Sequence, residues 1–149
     1  MTEIVLIVGA GPGLSSSIAK LCVSKNMRVI LASRDIEKLD DLKKEINATT
    51  IACDSSDTKS VQKLFKKVDK IGVPNLVVYN PAMRFKGSIT ELDPIQTQKA
   101  INVTCFGAFL VAQEAAKRMI KRKRGSIFFT GASAGVKGFP NSSVFAMGK

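Results

Sequence analysis

The feature that most constrains the fold is a run of five apolar residues followed at once by a glycine-rich turn. Residues 4–8 are all apolar, which indicates a strand buried on both faces in the middle of a parallel sheet. Gly9, Gly11 and Gly13 follow, and apolar residues then recur at helical spacing over residues 18–23. A glycine turn lets backbone approach a phosphate, and the helix that follows favours an anion through its free N–H groups and its dipole. Nucleotide binding is therefore the first hypothesis.

Apolar runs and helical patterns alternate along the rest of the chain. The predicted strands are residues 3–8, 28–32, 49–53, 75–79 and 126–130. The predicted helices are residues 14–25, 36–46, 58–70 and 94–121, and Asp57 is expected to cap the third of them. Such alternation predicts an α/β fold, a parallel sheet with right-handed crossovers and helices on both faces. The binding crevice should lie at the carboxyl ends of the strands, where the strand order reverses beside the first strand.

Length and composition are those of one globular domain. The 149 residues are 45% hydrophobic and 23% charged, and no apolar run approaches the roughly 18 residues of a membrane helix. No basic segment precedes the first apolar run, so we expect no secretory signal and a cytoplasmic location. Cys22, Cys53 and Cys105 lie in apolar patterns without metal-site spacing. Reduced, buried thiols and no metal are expected.

The net charge of +11 comes largely from a cluster of basic residues around the end of the last predicted helix. Its members are Lys117, Arg118, Lys121, Arg122, Lys123 and Arg124. Cations there complement the negative end of the helix and stay solvated. The alternative, binding to nucleic acid or to a membrane surface, is disfavoured because no aromatic residues are interleaved with the charges. Attraction of a phosphate-bearing ligand is the more modest use.

The spacing of the glycines separates several classes of nucleotide-binding protein. The fingerprint G-x-G-x-x-G needs a glycine where Leu14 stands, and the flavoprotein version also misses by one residue. A methyltransferase usually has an acid before the first glycine, where this chain has Val8. The pattern G-x-x-x-G-x-G fits, with Gly9 and Gly13 in place and Ser15 in the last glycine position. That spacing resembles the short-chain dehydrogenase/reductase family. The resemblance implies that a pyrophosphate binds at Gly9, Gly11, Pro12, Gly13, Leu14 and Ser15.

The residues that follow the second and third predicted strands bear on the choice of coenzyme. An acid closing the second strand would bind the ribose 2′-hydroxyl of NAD, but Ala32 and Ser33 stand there and Arg34 follows. A guanidinium suits the 2′-phosphate of NADP in charge and in bidentate geometry. The alternative interpretation is that Arg34 is a solvated surface residue beside Asp35. Asp54, after the third strand, offers an acceptor for the adenine amino group.

Three further segments extend the resemblance over the whole chain. Residues 78–82 stand where the family has Asn-Asn-Ala-Gly, and Asn80 keeps one asparagine of that motif as a coenzyme-binding candidate. Residues 102–107 resemble the family's Asn-Val-x-Gly segment, in which Asn102 would hold a structural water. Residues 125–135 resemble its strand-five motif. The chain is identified as a member of this family, which implies a Rossmann-like, doubly wound sheet of about five strands.

The resemblance also implies a chemistry, in which hydride moves between the nicotinamide and a carbonyl or alcohol substrate. In the family a tyrosine exchanges the proton, a lysine four residues later binds the nicotinamide ribose, and a serine steadies the substrate oxygen. Here Lys149 is kept, but the tyrosine is replaced by Phe145, which has no proton to exchange. The serine position falls on Ala132, with Ser133 next to it as a substitute. Tyr79, the only tyrosine, is a poor candidate acid at the coenzyme side of the fourth strand.

Two functions stay open at this point. One is an NADP(H)-linked oxidoreductase in which Asn102 and Ser133 support a water or a substrate hydroxyl as the proton source. The other is an NADP(H)-binding protein without catalysis, serving as a sensor, a scaffold or an inactive partner. Family members continue well beyond the lysine of the motif, so the chain is expected to be a single coenzyme-binding domain and a fragment of a longer protein.

A homodimer or homotetramer is also implied by the resemblance. In the family, the long fourth helix and the helix beginning near Ser143 pack against their copies. The apolar residues expected to supply that face are Ala100, Val103, Phe106, Phe109 and Leu110. Their alternative role is burial against the chain's own sheet.

Overall fold

The computed structural model describes residues 2–149 and contains one parallel sheet of five strands. The strands are β1 (Ile4–Val8), β2 (Arg28–Ser33), β3 (Thr49–Ala52), β4 (Leu76–Tyr79) and β5 (Ser126–Phe129). The α-helices are α1 (Leu14–Ser24), α2 (Asp40–Ile46), α3 (Thr58–Asp69), α4 (Pro94–Ile101), α5 (Gly107–Met119) and α6 (Ser143–Gly148). The strand order is β3-β2-β1-β4-β5, so the order reverses at β1 as predicted. The doubly wound α/β fold is confirmed.

The alternation of side chains along β1 divides the core between the two faces of the sheet. Leu6 and Val8 pack with apolar residues of α3 and α5 on one face. Val5 and Ile7 pack with residues of α1 and of the segment around α2 on the other. All four side chains are at most 1% exposed, because β1 has a strand on each edge and helices on both faces.

The connection into α3 shows why the chain turns where it does. The carboxylate of Asp57 accepts hydrogen bonds from the backbone N–H groups of Lys59 (3.3 Å) and Ser60 (2.8 Å). These bonds satisfy two of the four free donors that a helix N-terminus leaves. The predicted cap is confirmed.

The long predicted helix over residues 94–121 is not uniformly α-helical. A five-residue π-helix, Asn102–Phe106, lies between α4 and α5, and a 3-10 turn follows α5. Within the π-helix register, the N–H of Gly107 donates to the carbonyl of Asn102, five residues earlier. A Cβ on Gly107 would collide with the Tyr79 hydroxyl and lie 2.7 Å from the Ser55 carbonyl oxygen. This close approach of the helix to β4 depends on tertiary contacts, which the helical periodicity of the sequence does not predict.

One prediction about burial needs correction. Cys22 and Cys53 are buried as expected, but Cys105 is exposed because the π-helix turns it away from the core. Phe128 and Phe129 of β5 are more than half exposed, since β5 is the edge strand beyond β4 and few side chains of the described residues cover it.

Most of the basic cluster at residues 117–124 has partners within the protein. Arg118 pairs with Asp69 and Glu114, and Lys117 pairs with Glu114. Arg122 donates to backbone carbonyls of the loop before β4, and Arg124 pairs with Glu3. Much of the positive charge therefore holds the ends of α3, α5 and the sheet together. Over residues 2–149, no helix has both the length and the apolar character to cross a membrane.

Candidate functional site

A cavity of about 340 Å³, here called the first cavity, lies at the carboxyl ends of β1 to β4. It brings together Gly9, Ser33, Arg34, Asp54 and Asn80, which are far apart in the sequence. The parallel register explains this, because strands that run in one direction end at one edge of the sheet. Gly11, Pro12, Gly13, Leu14 and Ser15, also predicted to bind coenzyme, do not line this cavity and continue the chain from its wall into α1.

The glycine turn leaves open space at the start of α1. Gly13 has a φ of +89°, and a Cβ built on it would have no atom within 4 Å. Within residues 2–149, no side chain caps the N-terminus of α1, so the first amides of the helix have no side-chain acceptor there. An unobstructed turn ahead of uncapped amides is the arrangement that accepts an anionic group. The diphosphate of a dinucleotide fits this description.

Ser15 and Asn80 are engaged with each other. The Asn80 side-chain amide donates to the Ser15 hydroxyl at 2.8 Å, and that hydroxyl lies 3.2 Å from the Gly9 carbonyl, to which it donates. Ser15 is only 1% exposed. These bonds tie the ends of β1 and β4 to the first turn of α1. The hydroxyl of Ser15 is therefore occupied within the protein, and only its backbone N–H could serve an anion.

Arg34 is exposed at the end of β2 and forms no ion pair with any residue of 2–149. Asp35 pairs instead with Lys38 at 3.1 Å. Across the first cavity, Asp54 accepts hydrogen bonds from the backbone N–H and the hydroxyl of Ser56. The hydroxyl bond is the main cause of the lowered pKa of Asp54, and the charge of Arg34 adds to it. The cavity thus contains one available guanidinium and one ionised carboxylate.

Tyr79 is buried at the end of β4 and has a structural role. Its hydroxyl donates to the carbonyl of Val103 in the π-helix and lies 3.1 Å from the Ser55 hydroxyl, which can donate to it. Burial raises the pKa of Tyr79 to about 12. Neither its position nor its acidity suits proton exchange at neutral pH.

Phe145 lies in α6 and Lys149 directly follows it, beyond the end of β5. The Lys149 ammonium donates to the Thr130 carbonyl at 2.7 Å and lies 5.9 Å from the centroid of the Phe145 ring. Burial lowers the pKa of Lys149, because desolvation disfavours its charged form. Phe145 itself presents only a hydrocarbon ring, with no group that could exchange a proton.

Ser133 lies in the turn after β5, one residue beyond the serine position that the resemblance implies. β5 ends at Phe129, and Ser133 begins a 3-10 turn, so the alternation of side chains along a strand does not apply to it. Ser133 and Phe145 both line a cavity of about 430 Å³, here called the second cavity. Asn102 is exposed and lines neither cavity, so the structure does not bring it together with these two residues.

One residue of this region was not predicted from the sequence. The guanidinium of Arg84 lies 4.1 Å from the centroid of the Phe145 ring, within the range of a cation–π contact. Arg84 lies beyond the motif at residues 78–82, in the irregular segment before α4, so only the folded chain reveals the contact. Among residues 2–149, no group of three His, Cys, Asp or Glu side chains could hold a metal ion.

Comparison with known proteins agrees with this architecture. The sequence model of the short chain dehydrogenase family matches residues 3–149. An uncharacterized short-chain type dehydrogenase/reductase of Sinorhizobium fredii is 31% identical over 147 residues, covering 99% of this chain and 58% of the relative. A 3-oxoacyl-(acyl-carrier-protein) reductase of Bos taurus is 24% identical, covering 100% of this chain and 64% of the relative. The chain thus spans about three fifths of the length of these relatives.

Solved structures superpose closely on the described residues. A short-chain dehydrogenase from Rhodopseudomonas palustris has a TM-score of 0.90 and 25% identity, covering 98% of this chain and 71% of that one. ElxO with NADP bound has a TM-score of 0.92 and 25% identity, covering 99% and 62%. The family match extends over nearly every residue, and the sheet order, glycine turn and strand-end cavity agree with it. The chain belongs to the short chain dehydrogenase family.

Proposed function

We propose that this chain forms the coenzyme-binding part of an NADP(H)-dependent oxidoreductase acting on a carbonyl/alcohol pair. The observation that carries the proposal is Arg34 in the first cavity, which has no ion-pair partner among residues 2–149 and lies on the same sheet edge as the open glycine turn before α1. A guanidinium without a carboxylate partner suits the 2′-phosphate of NADP. The likeness to ElxO, solved with NADP bound, supports the same choice.

Each residue has a distinct part in this proposal. The turn from Gly9 to Ser15 would hold the pyrophosphate through backbone amides, and Asp54 would accept from the adenine amino group. Lys149 would bind the nicotinamide ribose, and when bound the coenzyme supplies or accepts the hydride. Ser133 would support a water or a substrate hydroxyl as the proton source, without Asn102, which lies outside the second cavity. Positioning of the reactants alone contributes to such a transfer.

Titration calorimetry with NADPH and NADH tests the role of Arg34. NADPH should bind more than about tenfold more tightly than NADH, a difference of about 1.4 kcal/mol. The Arg34→Ala variant should lose this preference. Arg28→Ala, which removes an exposed arginine at the other end of β2, is the matched control and should keep it. Equal affinities of the unaltered protein for the two coenzymes would overturn the assignment.

Phe145 favours a second candidate, an NADP(H)-binding protein without catalysis. The Phe145→Tyr variant separates the two, because it restores the phenol at the position where the family exchanges a proton. If the rest of the site is built for chemistry, turnover of NADPH with a panel of aldehydes and ketones should rise about 10²–10⁴-fold. Phe128→Tyr adds the same hydroxyl at an exposed residue of β5 outside the second cavity and should have little effect. No turnover by the original protein or either variant would leave the binding protein as the surviving candidate.

A further inference from the structure

The second cavity carries positive charge and no acidic residue. Its lining includes Arg84 and Lys86, together with Ser133 and the rings of Phe139 and Phe145. No Asp or Glu side chain is among the residues that line it. A cavity with two cations and no internal counter-charge is suited to a ligand that brings the negative charge itself.

Aromatic rings orient Arg84 of the cavity and the neighbouring Lys137 without neutralising their charges. The Arg84 guanidinium stacks on the Phe145 ring at 4.1 Å, and the Lys137 ammonium lies 5.8 Å from the centroid of Phe139. Cation–π contact orients a guanidinium but leaves its charge and its N–H donors free. Arg84, Lys86 and Lys137 form no ion pair within the part of the chain that the structure describes.

Backbone contacts fix the two segments that carry these side chains. The N–H of Met83 donates to the Thr104 hydroxyl at 3.0 Å, which anchors the segment after β4 to the π-helix. The N–H of Gly87 donates to the Asn141 carbonyl at 3.3 Å, which joins that segment to the loop before α6. Arg84 and Lys86 lie between these two anchors. The fold therefore brings them to the same cavity as Ser133 and Phe145.

We propose that the second cavity takes a carbonyl substrate bearing a carboxylate or phosphate group, which Arg84 and Lys86 bind while its carbonyl lies near Ser133. This inference rests on the proposed function and names the substrate class of that site. A guanidinium binds either anion with two parallel hydrogen bonds. The rings of Phe139 and Phe145 would contact the apolar body of the substrate, so both ends of the molecule find complementary surroundings.

The test compares aldehydes that differ in charge but not in reactive group. The substrates are 4-formylbenzoate and its methyl ester, with 4-formylphenyl phosphate as the phosphate arm. With NADPH saturating, kcat/KM should be about tenfold or more higher for an anionic substrate than for the ester, as expected for one charged hydrogen-bonding contact. The ratio of kcat/KM to that of the ester is compared for the two anionic substrates, and the larger ratio shows whether carboxylate or phosphate is preferred.

The variants separate recognition of charge from a structural role. Arg84→Gln should bring the ratio of acid to ester close to one, whereas Arg84→Lys, which keeps the charge, should retain part of it. Arg28→Gln, at the amino end of β2, should leave the ratio of acid to ester unchanged. An equal fall in kcat/KM for acid and ester in Arg84→Gln would show that the arginine only supports Phe145, and would overturn the inference.

A binding measurement keeps this test separate from that of the proposed function. Calorimetry of the NADPH-saturated protein compares 4-(hydroxymethyl)benzoate with its methyl ester. If no aldehyde is turned over, an acid preference that disappears in Arg84→Gln still supports the inference while the oxidoreductase proposal fails. If NADPH is oxidised but neither turnover nor binding distinguishes acid from ester, the inference fails and the proposed function stands.

Discussion

Gly9 and Gly13 have φ angles of the same sign but different surroundings. Gly9 has a φ of +77°, and a Cβ there would lie 2.6 Å from atoms of the Pro81 ring, at the end of β4. Gly13 has a φ of +89° and open space in front of it. Gly9 is thus required by the packing of β1 against the chain that leaves β4. Gly13 is required by its backbone angle, and its missing side chain leaves room for a ligand.

The two alanine variants should therefore differ. Gly9→Ala combines a left-handed backbone angle with overpacking against a rigid ring, and should lower the free energy of unfolding by about 2–4 kcal/mol. Gly13→Ala carries only the backbone cost, about 1–2 kcal/mol, and should weaken NADPH binding in addition. Urea unfolding measures the first effect and calorimetry the second. Equal losses of stability in the two variants would contradict the packing argument at Gly9.

At the scale of elements, an ion-pair network joins α3 to α5. Arg118 donates to both carboxylate oxygens of Asp69, at 2.6 and 2.8 Å, and to Glu114 at 2.8 Å. Its guanidinium also lies 4.9 Å from the centroid of the Phe65 ring, which is fully buried. The hydrogen bond from Arg118 is the main cause of the lowered pKa of Asp69. This network continues the apolar packing of the two helices out to the surface.

Removing the Asp69 carboxylate should have an effect that depends on pH. Because the pKa of Asp69 is lower in the folded than in the unfolded chain, its contribution is complete above about pH 4. This contribution to stability is lost as the pH falls through the pKa of Asp69 in the folded protein. Asp69→Asn should lower the free energy of unfolding at pH 7 by about 0.5–1 kcal/mol, the range of partly exposed pairs.

Urea unfolding of Asp69→Asn and of the original protein between pH 3 and 7 should show that difference narrowing towards acid. Asp41→Asn, an exposed residue of α2 outside the ion pairs of residues 2–149, serves as the control. A difference that stays constant with pH would mean that the bidentate pair does not stabilise the fold.

At the scale of the whole molecule, the apolar face predicted on the long helix divides into two sets. Ala100, Val103 and Leu110 are buried within the chain, and Leu110 packs with apolar residues of the sheet. Phe106 and Phe109 are 44% and 55% exposed and stack on each other with ring centroids 6.0 Å apart. We propose that this aromatic pair contributes to a contact between two copies of the protein. Exposed aromatic pairs are typical of such contacts.

Replacing one of these rings should weaken the association. Phe109→Lys places a charge on the proposed contact and should raise the dissociation constant of the oligomer at least about tenfold, as for a hot-spot residue. Sedimentation equilibrium measures this directly. Ile89→Lys makes a comparable change at an exposed apolar residue outside the helices and should have no effect. A protein that is monomeric before any substitution would refute the proposed contact.

Local sequence signals were sufficient to predict the strands, most of the helices and their order. The apolar runs, the glycine turn and the Asp57 cap are local signals, because backbone hydrogen bonding and side-chain periodicity depend on neighbours within a few residues. From the alternation of strands and helices, the parallel sheet, the reversal at β1 and the position of the first cavity also followed.

Contacts between residues far apart in the sequence became visible only in the folded protein. The tertiary structure engaged the Ser15 hydroxyl with Asn80, changed the long helix into a π-helix at Asn102, and exposed Cys105. It also placed Arg84 over Phe145, across 61 positions of sequence, where no motif marks the contact. Such outcomes depend on which surfaces pack together, and packing is a property of the folded chain as a whole.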